Sequence, residues 1–184
     1  MLDFSIVFSK EHLRDSLEIS PGKLYFDPGD YSYLSAWTIF STPMSKPAYV
    51  LGIIQAGQYY DGYRLSVRFE PMWNISKHFE LGGTYNFDHV NVSSRNVTWP
   101  NHIVGIKALY MLNTKFSVNA FLQYNQAIHE IITNLRIRYN PKEGNDLYLV
   151  FNEGRNTDLT REVPNLPIFS SRTILLKYTY TFNL

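Results

Sequence analysis

Apolar and polar residues alternate with period two along most of this chain. In "YRLSVRFE", Tyr63, Leu65, Val67 and Phe69 alternate with Arg64, Ser66, Arg68 and Glu70. In "HFELGGTYNFD", Phe79, Leu81, Gly83, Tyr85 and Phe87 alternate with Glu80, Gly82, Thr84, Asn86 and Asp88. "FSVNAFLQYN" sets Phe116, Val118, Ala120, Leu122 and Tyr124 against Ser117, Asn119, Phe121, Gln123 and Asn125. "EIITNLRIRYN" sets Ile131, Thr133, Leu135, Ile137 and Tyr139 against Ile132, Asn134, Arg136, Arg138 and Asn140. From Ile174 to Leu184 the apolar series runs Ile174, Leu176, Tyr178, Tyr180, Phe182 and Leu184. The stretches Ile103–Leu112 and Asp146–Glu153 alternate less cleanly. Period two predicts strands with one apolar and one polar face. Helical spacing is confined to Lys10–Ser16, which reads as a short helical turn. The longest apolar run, Ala48–Ile54, is too short for a membrane helix.

These predicted strands are about ten residues long, against the usual five or six of globular proteins. A tilted strand crossing a bilayer needs roughly nine to eleven. Tight turns are expected at Ser76-Lys77, at Asn113–Lys115 and at Pro141–Asn145. Between them fall other links: "VSSRNVTWPN" after Asn91, a short one at Ala127–His129, and Gly154–Ser171. Short and longer links mostly take turns, as in barrels with short periplasmic turns and longer outer loops. Counting back from a periplasmic C-terminus puts all three tight turns on the periplasmic side. The fold expected is therefore all-β: an antiparallel, up-and-down barrel of the transmembrane type, or the C-terminal part of one, with about 8–10 strands. Residues 1–184 read as one domain, with 1–30 an irregular lead-in and first strand and 31–184 a β-meander.

Composition sharpens this. Tyr (14) and Phe (12) lift the aromatic content to 16%, which suits boundaries between apolar layer and water. A net charge of +1 gives no electrostatic case for nucleic acid. With no cysteine, thiol chemistry and Cys-ligated metals fall away. Met1–Ser20 lacks the basic stretch, apolar core and small-residue cleavage site of a secretory signal.

The candidate chemistry is sparse. His12, His78, His89, His102 and His129 show no metal-ligand spacing, so no metal and no cofactor is expected. Asp88, His89 and His102 fall near one predicted rim, where barrel hydrolases carry acid–histidine pairs. As strand neighbours, Asp88 and His89 would point to opposite faces. No catalytic residue is therefore assigned. Arg64, Arg68, Glu70, Glu80, Arg136 and Arg138 occupy polar faces and are expected to point into a lumen, because an arginine facing lipid at the midplane costs roughly 2–4 kcal/mol. They read as a ladder of lumen salt bridges or as a bias toward anions. Glu153, Arg155, Arg161 and Arg172 are expected in the longest outer loop, Glu153–Arg172. Trp37, Trp73 and Trp99 suit interfacial girdles.

Several segments together resemble one family: "LEISPGKLYFDPGDYSY", "YYDGYRLSVRFEPMWNISKHFELGGTYNF", "FLQYNQ", "TNLRIRYNPKEGNDLYLVFNEGR" and the closing "RTILLKYTYTF". The family is that of large outer-membrane proteins of gram-negative bacteria. Its members carry an N-terminal β-sandwich similar to family-nine carbohydrate-binding modules and a C-terminal β-barrel domain of unknown function. The resemblance covers nearly all of the chain, from about Phe4 onward. It implies that this chain corresponds to the C-terminal portion of such a barrel, a fragment rather than a small barrel in its own right. It also implies a cell outer membrane location and a link to surface glycan. The partners expected are outer-membrane lipid, glycan, and the barrel-assembly machinery, which reads a closing strand such as Ile174–Leu184. Leu184 stands where such strands commonly end on an aromatic.

Three functional classes remain in view. The first is a membrane anchor or passage of unknown substrate. The second is a soluble β-barrel for a small ligand, which expects apolar lumen faces where these strands carry Arg and Glu. The third is an outer-membrane barrel hydrolase, which needs convergent Asp, His or Ser at one rim.

Overall fold

The computed structural model of the chain describes residues 1–20 and 22–181. Among the described residues twelve strands form: β1 (Leu2–Leu13), β2 (Leu17–Ser20), β3 (Leu24–Phe26), β4 (Gly29–Ser41), β5 (Ala48–Tyr59), β6 (Gly62–Ser76), β7 (Phe79–Val92), β8 (Val97–Asn113), β9 (Phe116–Asn125), β10 (Glu130–Lys142), β11 (Asn145–Asn156) and β12 (Phe169–Tyr180). Among the described residues no helix is long and apolar enough to cross a membrane. Ten strands make one antiparallel sheet in the order β1-β4-β5-β6-β7-β8-β9-β10-β11-β12, and β2 pairs only with β3. Apart from that hairpin every strand pairs with its neighbour in sequence. This is the up-and-down meander of a barrel, or of part of one, and the fold class is as expected.

In such a meander the links alternate between the two ends of the strands. Residues 77–78, 114–115 and 143–144 form short turns at one end, where tight turns were expected. Asn113 shapes one of them, its Oδ1 accepting from the backbone N–H of Lys115 (2.8 Å) and Phe116 (3.0 Å). Links 60–61, 93–96, 126–129 and 157–168 lie at the other end. The 60–61 turn was not expected. Its signal is the Asp61-Gly62 pair between alternating stretches.

The chain packs as two compact units, Met1–Glu70 with Thr84–Ile103, and Pro71–Gly83 with Val104–Leu184. In the first, β1 pairs with β4 along its whole length, from Leu2↔Phe40 to Leu13↔Gly29. This corrects one expectation: Lys10–Leu13 are strand rather than helical turn. The ladder to β4 satisfies their backbone, and tertiary pairing overrides a weak local preference. The register gathers Phe4, Ile6 and Phe8 with Leu34 and Phe40 on one face, and Ser5, Ser9 and Glu11 with Tyr33 and Trp37 on the other. The buried core lies under the β2–β3 hairpin. There Leu24 (1% exposed) and Phe26 (0%) pack on Val90 and Val92 of β7, flanked by Tyr59, Tyr60, Val97 and Trp99.

In the second unit β9, β10, β11 and β12 pair side by side, with register shifts at Tyr139/Lys142 and Gly154/Arg155. One face collects Val118, Ala120 and Leu122 with Leu135 and Ile137, Leu149 and Phe151, and Ile174 and Leu176. The opposite face collects Asn119, Arg136, Arg138, Tyr148 and Lys177. The alternation read from Ile174 onward holds through Tyr180, while Phe182 and Leu184 lie outside the described residues.

Candidate functional site

The polar faces carry ion pairs. Arg64 of β6 reaches Asp88 of β7, with Nε to Oδ1 at 2.9 Å, and its guanidinium lies 5.1 Å from the centre of the Tyr59 ring. Arg68 bonds Glu70 two positions along the same strand, so both share one face. In the second unit Arg138 Nε donates to Asp146 Oδ1 at 2.7 Å, and Asn140 Nδ2 donates to the same oxygen at 3.1 Å. Arg136 stacks over the Tyr148 ring at 4.6 Å. Glu80 shares its face of β7 with Gly82, where a side chain would collide with Met72 and Lys107. Five of the six polar-face residues singled out from sequence, Arg64, Arg68, Glu70, Arg136 and Arg138, thus fall into local contacts within their own unit rather than converging on one point. Of their acidic partners, Asp88 was weighed only as half of an acid–histidine pair and Asp146 was not singled out; each lies on the polar face of its own strand, which alternation alone reveals.

A second constellation was missed entirely. Glu11 accepts from two phenols, Tyr33 (2.8 Å, to Oε1) and Tyr60 (2.7 Å, to Oε2). Tyr60 in turn packs on Phe26, Tyr31, Tyr33 and Tyr59, at ring-centre distances of 4.5, 5.0, 5.6 and 4.7 Å. Burial and the Glu11 carboxylate beside it push the Tyr60 phenol well above its usual range. Arg95 completes the cluster: its guanidinium sits 4.9 Å from the Tyr25 ring and Nη2 donates to both Asp61 oxygens at 3.2 Å. The β2–β3 hairpin is therefore clamped onto the polar side of the first unit by aromatic packing and charge. Sequence spacing places Glu11, Phe26 and Tyr60 far apart, and only the β1–β4 and β4–β5 ladders and the β2–β3 hairpin bring them together.

Asp88 and His89 diverge, because β7 continues past both. Asp88 pairs with Arg64, while His89 stacks on Phe87 at 6.3 Å. His102 Nδ1 lies 2.9 Å from the Tyr85 hydroxyl and its ring 4.7 Å from Phe87. The two histidines thus keep aromatic company on the face opposite Asp88, which builds no acid–histidine dyad. Among the described residues no group of three or more His, Asp or Glu side chains is placed to hold a metal ion.

The expected outer loop is shorter than read. Glu153 and Arg155 belong to β11 and Arg172 to β12, because pairing persists past a bulge to Arg155↔Phe169. Only Arg161 of the four lies in the 157–168 link. Arg172 Nε donates to Glu153 Oε2 at 2.8 Å and its guanidinium stacks on Phe169 at 3.9 Å. In the link, Asp158 accepts from the backbone N–H and hydroxyl of Thr160 at 3.0 and 2.9 Å, which holds its carboxyl below the usual range. The expected tryptophan girdle is also corrected. Trp73 is exposed, but Trp37 bonds Ser35 on the Glu11 face and Trp99 packs on the hairpin core.

The class defined so far is an antiparallel up-and-down β-meander of the barrel type. No family model matches the chain. No curated protein matches it either. Among solved structures it is similar to a KdgM porin in complex with disordered oligogalacturonate, with TM-score 0.43 and 8% identity, covering 100% of this chain and 95% of that one. It is also similar to a NanC porin in a rhombohedral crystal form, with TM-score 0.46 and 11% identity, covering 98% of this chain and 94% of that one.

Proposed function

We propose that the chain is an outer-membrane β-barrel protein, or the C-terminal part of one, acting as membrane anchor or passage. One observation carries this reading: in most strands the exposed large apolar residues gather on one face, with Val7, Met111 and Leu175 as the exceptions on the other. In the first unit these are Phe4, Ile6, Phe8, Leu34, Ile54, Tyr63, Leu65 and Phe69; in the second, Ile106, Leu122, Leu149, Ile174 and Leu176. Ile174 is 69% exposed and Phe4 64%. A contiguous apolar surface of this kind is unsustainable in water and matches hydrocarbon. The faces opposite carry Arg64–Asp88 and Arg138–Asp146, the arrangement expected of a polar lumen. Arg64, Arg68, Glu70, Glu80, Arg136 and Arg138 would line it. Arg161 would sit in the outer link, with Glu153, Arg155 and Arg172 at the strand ends beneath.

The resemblance to surface proteins with a carbohydrate-binding-like sandwich supports a role in surface glycan handling, with that sandwich as the ligand-binding partner domain. The closing strand would be what the barrel-assembly machinery engages. A soluble ligand barrel is disfavoured by the exposed apolar faces. A hydrolase is disfavoured by the separation of Asp88 from His89 and His102.

The test is electrophoretic. The chain is expressed behind an export signal, extracted in mild detergent and run in SDS with and without boiling. A faster unboiled band that shifts on boiling is the expected result. Its absence, with the protein recovered from the soluble fraction without detergent, would overturn the membrane reading.

A further inference from the structure

Three hollows on the apolar face of the second unit join end to end. The first, about 340 Å³, lies where the small Ala108, Ala120 and Thr133 interrupt larger neighbours. The second, about 160 Å³, shares Ile106 and Leu122 with it. The third, about 430 Å³, shares Ile131 with the second and ends at Arg155, roofed by Leu159 and Ile168 of the 157–168 link. The register gives the axis. Leu135 pairs with Ala120 and Phe151, whereas Ile131 pairs with Tyr124 and Arg155. Those rows are four residues apart, or about 13 Å at the ordinary strand rise. The groove thus runs along the strands past the Glu153–Arg172 ion pair, which the register places on the same face beside Thr133, and ends at Arg155.

Arg155 is exposed and stands at that end without an ion-pair partner among the described residues. Every acid nearby is engaged elsewhere: Glu153 by Arg172, Glu130 by the Ser170 hydroxyl, Asp158 by Thr160 and Glu162 by Arg161. An exposed guanidinium forks well onto a phosphate, and an apolar trough of this form accepts a hydrocarbon chain. A cation at the edge of an apolar face, where that face gives way to a loop, is also the level at which lipid headgroups lie.

We propose that this groove is a specific site for a membrane lipid with an anionic phosphate headgroup. Arg155 binds the phosphate and one acyl chain lies along Ile131, Leu122 and Ala120. The site rests on the membrane reading above and adds to it a preference among lipids.

The chain contains no cysteine, so Thr157→Cys places a single fluorophore beside the headgroup position. The labelled full chain is folded into phosphatidylcholine vesicles holding a minor fraction of brominated lipid, either phosphatidylglycerol or phosphatidylcholine. Brominated phosphatidylglycerol should quench at a roughly fivefold lower mole fraction, the preference one interfacial cation supplies. Arg155→Gln should abolish the difference and Arg155→Lys restore part of it. Ala120→Phe, which fills the trough, should weaken quenching by both lipids. Equal quenching by the two lipids, or a preference that survives Arg155→Gln, overturns the site while the heat-shifted folded band keeps the membrane reading intact. Self-quenching that grows with protein density regardless of lipid would name a second copy as occupant and also overturn it. Failure to give a folded band in vesicles rejects the site and the membrane reading together.

Discussion

Glu11 holds two phenols at once, and each bond is partly exposed, so each contributes about 1 kcal/mol. Glu11→Leu should therefore lower the unfolding free energy by about 2 kcal/mol in a urea titration of detergent-folded protein. Loosening should concentrate in the β2–β3 hairpin, visible as faster amide exchange at Leu24 and Phe26. A second expectation concerns pH. Because the Tyr60 phenol is held above its ordinary value, its contribution is fully present below about pH 10, where the unfolded phenol is still protonated. Above that the unfolded chain deprotonates first, and stability should fall until the pH passes the folded value. Glu11→Leu should shrink this alkaline loss without removing it, since burial is the larger cause. An alkaline stability curve identical in the two proteins would sink that account. Neither contact is legible in sequence, because Glu11 reads there as part of a helical turn and Tyr60 carries no signal of its own.

Pairing is tightest where glycine lets two backbones approach. Gly57 of β5 has φ +152°, and a Cβ there would lie 2.6 Å from both Leu34 O and Ser35 Cα. These are backbone atoms of β4, so the strands themselves would have to part. Gly57→Ala should cost about 2 kcal/mol or more, whereas Gly83→Ala, whose Cβ would meet Pro71 Cγ at 3.2 Å, should cost about 1 kcal/mol at most. Parallel urea titrations decide, and equal costs would refute the close-approach argument. At this scale the sequence was informative. Period two located β6, β7, β9, β10 and β12, and turn chemistry located the short links. It failed for β1, whose Lys10–Leu13 end is strand only because β4 supplies a ladder. It failed too for the β11–β12 link, where a bulge lets pairing run on past the polar residues that signalled a loop.

Across the molecule, the two faces of each strand have opposite solvents in the membrane reading. Leu149 lies on the apolar face between Ile137 and Leu176, and Asn134 on the polar face opposite Asn152. Leu149→Arg should therefore destabilise the folded protein in vesicles by roughly 2–4 kcal/mol, with Asn134→Arg near neutral. The heat-shifted fraction after folding measures both, and a reversed order would place lipid on the wrong face.

What the amino-acid order determined by itself was everything set by local periodicity: strand identity, the segregation of faces, the short turns and the all-β antiparallel class. Period two makes each strand declare its own two faces without reference to any other. Only the tertiary structure decided which side chains meet. Asp88 joins Arg64 rather than His89, Glu11 gathers Tyr33 and Tyr60, the β2–β3 hairpin buries Phe26 on Val90 and Val92, and Arg155 ends an apolar trough. These contacts depend on register and, for the Glu11 and Phe26 clusters, on the excursion between β1 and β4. Both are settled by pairing between distant segments, which no local pattern encodes.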